Sequence, residues 1–177
     1  LITIDGKIMA VAFMANAQHL VYRKDILNKL NIDVPKTYEE MLSAAKKIRD
    51  AGLVKNPVGG AYKAGWNLAQ EFNNMFIGYG GSHFKGNTAE PNVNSESGVK
   101  ALEMMKALSG YMNPDFLTHD SNATNAEFRA GNVAIMNMWG SRAATLVDAD
   151  GVSDEVKNGM DIAGPMTVGG GKTPAST

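Results

Sequence analysis

The chain has 177 residues, 44% hydrophobic and 20% charged, a balance that buries a core and excludes disordered, collagen-like and disulfide-dense classes. Seventeen basic residues against eighteen acidic ones give a net charge of -1 with no basic stripe, which sets nucleic acid aside as a partner. Cysteine is absent, so thiol nucleophiles, thiolate metal sites and disulfides are excluded, and the apolar run from Ile8 to Ala15 is far short of the roughly 20 residues that cross a bilayer.

In chain order, Asp5-Gly6 sits between β-favouring runs and predicts a hairpin turn, with Met9 to Phe13 continuing as strand. His19 to Tyr22 is a second extended run, and Ile26, Leu27 and Leu30 share the face of a short helix beginning near Lys24. Thr37 followed by Glu40 forms a capping box for a helix ending at Gly52, whose apolar face is Tyr38, Met41, Leu42, Ala45 and Ile48. The glycine-rich loop of 56–65 holds one short strand near Val58. Leu68, Phe72, Met75, Phe76 and Tyr79 make the stripe of a helix stopped by Gly80-Gly81, and 82–94 reads as polar loop. A fourth helix, about 97–111, carries Ala101, Met104, Met105, Leu108 and Met112; its methionines read as core filler. Thr124 and Glu127 make a second capping box for a short helix that Gly131 stops. Val133 to Met138 reads as a buried strand, Trp139-Gly140-Ser141 as a strand-to-helix turn into a helix packed through Ala143, Ala144, Leu146 and Val147, and Met160 to Ala163 as a last strand. Interleaved strands and helices predict a helix-rich α/β lobe.

Catalytic patterns are missing. His19, His83 and His119 have no partner at metal-ligand spacing, and no Gly-x-Ser-x-Gly elbow occurs. Gly171-Lys172-Thr173 resembles the end of a phosphate loop, but Met166 stands where its first glycine belongs and Pro174 where its helix would start. No cofactor and no metal are expected.

Four stretches in order carry a family pattern: Ile4-Asp5-Gly6-Lys7-Ile8-Met9-Ala10-Val11, Asn16 through Leu27, Val34-Pro35-Lys36-Thr37-Tyr38-Glu39-Glu40-Met41, and Phe128-Arg129-Ala130-Gly131-Asn132-Val133-Ala134-Ile135-Met136. They resemble extracellular solute-binding proteins of the maltose-binding type, with Ala12, Arg23 and Tyr38 departing from the common proline, asparagine and tryptophan. The resemblance implies a type II periplasmic-binding-protein fold, in which two α/β lobes joined by crossover strands close over ligand. The chain is then expected to be a piece of a longer protein, its second lobe: incoming crossover strands at 1–23, the lobe at 24–165 and a flexible exit segment at 166–177, the first lobe being absent. The implied function is non-enzymatic capture of a small polar solute, a sugar first, for the permease of an ABC importer, in the periplasm or outside the cell.

Within that reading, Trp66 and Trp139 each sit beside glycine at the start of a predicted helix, off any apolar stripe. An indole face suits the C–H face of a pyranose, and nearby amide or guanidinium groups bond its hydroxyls. The expected ligand-binding residues are therefore Trp66 with Asn67, and Trp139 with Ser141 and Arg142. The resemblance adds Asn16, just after the crossover, and its neighbour Gln18. Arg23 and Asp25 read as helix capping and surface charge. Within the binding class, a polyol, a sugar phosphate, or a charged solute such as a polyamine or ferric ion stays open. The rival from another class is an accessory domain of an α/β enzyme using Arg142 with a carboxylate such as Asp120.

Overall fold

A computed structural model describes residues 2–14, 16–148 and 150–169, with the side chain of Ala144 also left aside. The glycine-lysine-threonine run at 171–173 lies outside the described residues. A hairpin of β1 (Ile2–Ile4) and β2 (Lys7–Ala10) turns at Asp5 and Gly6, both at positive φ. β2 ends before the predicted Phe13. Its apolar side chains are exposed, Phe13 beyond it almost completely.

The remaining elements build one sheet with helices on both faces. β3 (Gln18–Arg23) leads into α1 (Lys24–Lys29), α2 (Tyr38–Asp50), β4 (Val58–Gly59), α3 (Trp66–Gly78), α4 (Glu96–Ser109), α5 (Ser121–Arg129), β5 (Ile135–Trp139), α6 (Asp154–Gly159) and β6 (Met160–Ala163). The strand order is β4-β5-β3-β6, with β4 parallel to β5, and β3 antiparallel to both of its neighbours. Strand alternation separates two cores. Leu20, Tyr22 and Ile135 point toward α2, α3 and α4, where Tyr38, Met41, Ile48, Met75, Phe76 and Leu108 are fully buried. Val21, Met136 and Met138 point the other way, toward Phe128, Leu146, Val152 and Val156.

The capping box of α2 forms as read: Thr37 Oγ1 accepts from the Glu40 amide at 3.1 Å while the Glu40 carboxylate accepts from the Thr37 amide. Several readings change. α5 begins earlier than Thr124, because Asp120 caps it by accepting from Asn122 and Ala123 amides. Thr124 is buried inside the helix and donates to the Gly60 carbonyl at 3.1 Å. The run after Trp139 forms two 3-10 turns, Gly140–Arg142 and Ala144–Leu146, instead of an α-helix. α6, unforeseen, is capped by Ser153. Arg23 is 2% exposed, and its guanidinium bridges Asp25 at 2.6 Å and Glu155 at 2.7 Å, so it ties β3 to α6 rather than serving the surface. Of the expected exit segment, Met166 and Val168 are buried in the larger core and Thr167 pairs with Thr37 beside α2, while 170–177 lie outside the described residues.

Candidate functional site

β5 ends and α3 begins at the same edge of the sheet. Gly65 precedes α3 at φ 112, a backbone turn that a side chain would strain, and it sets Trp66 as the first helical residue. Trp139 closes β5 opposite Gln18. The two indoles stack with centroids 5.1 Å apart and planes 21° from parallel. Trp139 is 5% exposed and forms the floor, whereas Trp66 is 63% exposed. Trp66 thus turns much of its indole to solvent over the buried Trp139.

The segment before β3 is fastened to the turn after β5. Asn16 Oδ1 accepts from the Ser141 amide at 3.3 Å, and the Ala17 carbonyl accepts from the Gly140 amide at 2.9 Å. A side chain on Gly140 would crowd the His19 ring at 3.2 Å. Asn16, Ser141 and Trp139 therefore meet, with Trp66 stacked against the last of them. Arg142 turns toward α5 and donates to Asn122 Oδ1. There the Asp120 carboxyl is held below its ordinary range, chiefly by the Ala123 amide. Asn67, second in α3, keeps its side-chain oxygen buried with no hydrogen-bond partner among the described residues.

Gln18 is placed differently from the rest. It is 5% exposed, and its amide donates to Glu71 Oε1 at 3.1 Å and accepts from Asn74. It lies beneath the tryptophan face, and no open surface reaches it. The same layer holds Asn137, which donates to the Tyr38 hydroxyl at 2.7 Å, and the fully buried Glu71, whose carboxyl burial pushes up to about 7 against the lowering pull of the Gln18 and Asn137 amides. Burial also pushes the Tyr38 phenol upward. Sequence reasoning passed over Glu71, Asn74 and Asn137. One signal was available: Glu71 falls on the apolar stripe of α3, between Leu68 and Met75, where a carboxylate has no reason to be unless it is paired inside. Among the described residues, no group of three histidine, aspartate or glutamate side chains is placed to hold a metal ion.

The arrangement therefore sets a stacked aromatic pair beside the Asn16 side chain and the backbone of the turn after β5. Residues 2–176 match a family described as bacterial extracellular solute-binding protein. The chain belongs to that family. A "probable ABC transporter-binding protein" of Deinococcus radiodurans is 30% identical over 188 residues, covering 99% of this chain and 42% of the relative. A solute-binding protein of Agrobacterium radiobacter K84, solved in complex with ribitol, is 28% identical with TM-score 0.81 over 97% of this chain and 42% of its own. The maltose-bound T. maritima MalE3 shares the fold at TM-score 0.80 and 24% identity, over 97% of this chain and 44% of that one. The fold is thus one lobe of a type II periplasmic-binding protein, and the chain spans less than half the length of the relatives it matches.

Proposed function

We propose that this lobe supplies one wall of a cleft that captures a neutral polyhydroxyl solute, a sugar first, without covalent chemistry, and presents it to the permease of an ABC importer outside the cytoplasmic membrane. The stacked Trp66–Trp139 pair carries the proposal. One face of Trp66 is covered by its partner and the other is open, which suits the C–H face of a sugar ring. Asn16 and Ser141, joined by a hydrogen bond in the turn after Trp139, are the groups assigned to bond hydroxyls, at the carboxyl end of β5 where α/β lobes bind ligands. A linear polyol is the second reading, favoured by the ribitol held in the Agrobacterium relative. A sugar phosphate is disfavoured because Arg142 and Lys63, each three residues from one of the tryptophans, are engaged by Asn122 and Asp120. A polyamine is disfavoured because the carboxylate below the platform is buried.

Calorimetric titration of the full-length protein with maltose, ribitol and spermidine tests this. Binding of maltose or ribitol that weakens at least about 10-fold in W66A supports the reading, since stacking contributes on the order of 1 kcal/mol or more. Spermidine binding, or sugar binding indifferent to W66A, would overturn it.

A further inference from the structure

Under the tryptophan face, polar side chains from four parts of the fold meet around a small internal cavity. Tyr38 of α2, Tyr62 in the segment after β4, Glu71 of α3 and Asn137 of β5 supply its polar wall; apolar side chains and the backbone at Gly59 and Gly60 complete it. None of the four polar residues is more than 5% exposed. The cavity measures about 10 Å³, which admits one water molecule and nothing larger.

The hydrogen bonds of this wall leave one group over. Glu71 Oε1 accepts from Gln18 at 3.1 Å, and the Tyr38 hydroxyl accepts from Asn137 at 2.7 Å. The Tyr62 hydroxyl is buried and has no hydrogen-bond partner among the described residues. Glu71 and Tyr38 share the cavity with it, yet neither is within direct reach. A buried hydroxyl in that position forfeits the bonds that water gives it in the unfolded chain. Its oxygen is not free to close the gap, because the ring is held on two sides. One edge packs against Phe116, with centroids 5.9 Å apart and planes at 76°. The ring also lies over Gly60, where an added Cβ would meet it at 2.9 Å. Polar groups too far apart to bond directly, across a gap of one-molecule size, are the setting in which water bridges.

We infer that this cavity is an internal water site, in which one water accepts from the Tyr62 hydroxyl and donates to the Glu71 carboxyl. The Tyr38 hydroxyl is its third partner, since a phenol that accepts from Asn137 still carries a proton to give. Three partners are about the usual number for a buried water. Tyr62 stands four residues before Trp66, in the segment between β4 and α3. The water therefore ties the approach to Trp66 to α2 and α3 from within, whichever solute the face above receives.

A high-resolution crystal structure of the full-length protein tests the site directly. The expected result is a single density peak within hydrogen-bond distance of the Tyr62 hydroxyl, the Glu71 carboxyl and the Tyr38 hydroxyl. An ordered wall with no peak, or a Tyr62 hydroxyl bonded directly to Glu71 or Tyr38, would overturn the inference. In solution, oxygen-17 magnetic relaxation dispersion counts waters held inside a protein. Y62F, which removes the unpaired hydroxyl and little else, is expected to lose one long-lived water relative to the unmodified protein. Y79F, which removes a phenol at the exposed Glu39 contact, is expected to lose none. Equal dispersion in the unmodified protein and Y62F would count against the site.

Discussion

At the scale of single residues, the two tryptophans separate binding from stability. Trp66 is mostly in water, so W66A is expected to change the melting temperature little, whereas W139A removes a buried ring from the smaller core and is expected to cost about 3 kcal/mol or more. Chemical denaturation of both variants checks this, and equal losses would contradict the floor-and-platform geometry. Glu71 makes stability depend on pH with a definite sign. Its carboxyl rises from 4.5 to about 7 on folding, so across that interval the folded chain holds a proton that the unfolded chain has released. Its contribution is fully present below about pH 4.5, falls as pH climbs to about 7 and is flat beyond, a loss of about 3 kcal/mol at ~1.4 kcal/mol per pH unit. Asp25, held down by Arg23, acts below 3.8 and outside this window. Thermal melts between about pH 4.5 and about pH 8 should show the decline in the unmodified chain and a flatter profile in E71Q. Trp66 and Trp139, picked out by the glycine beside each, do lie against one another, but Trp139 is also a member of the smaller core, a use that its position off any helical stripe did not reveal. Gln18, by contrast, is buried in a hydrogen-bonded group with Glu71 and Asn74, and depth of that kind is not written in the local sequence.

At the scale of elements, sequence signals worked where one residue type has one job. Thr37-x-x-Glu40 became a true capping box, and T37A is expected to cost about 1 kcal/mol in denaturant titration. Thr124-x-x-Glu127 has the same spelling but a better cap, Asp120, precedes it, and the Thr124 hydroxyl is drawn to the Gly60 carbonyl. Ala143 and Leu146 looked like a helical face. Both are buried, yet their spacing of three residues fits a 3-10 turn better than an α-helix, and Trp139 at the N-cap makes no side-chain capping bond. α6 was invisible because one apolar anchor, Val156, makes no periodicity. Gly98 in the first turn of α4 gives a test with an inverted sign. Alanine for glycine normally stabilises a helix by about 1 kcal/mol, but a Cβ here would lie 2.0 Å from the Val93 carbonyl oxygen. G98A is therefore expected to destabilise by about 1–3 kcal/mol, and a raised melting temperature would show that the loop before α4 yields freely.

For the whole molecule, the resemblance in sequence order carried the fold class, since strand-helix alternation alone fits many α/β lobes. If the ligand's hydroxyls are shared between this wall and a second one, a micromolar ligand at about -8 kcal/mol keeps roughly half of that on one wall, which is millimolar binding. Calorimetry on the 177-residue chain beside the full-length protein checks the division, and micromolar binding by this chain alone would contradict it. The sheet order has a further consequence, for the path by which the chain folds. Its inner strand β3 comes from residues 18–23, yet both neighbours come from 135–139 and 160–163. As the chain leaves the ribosome, α1 to α5 are all synthesised before β3 has an adjacent strand to pair with, and closing loops of that length delays the pairing. Through that interval β3 is an unpaired strand with both edges open and Leu20, Val21 and Tyr22 uncovered, the state most exposed to aggregation and to chaperone capture.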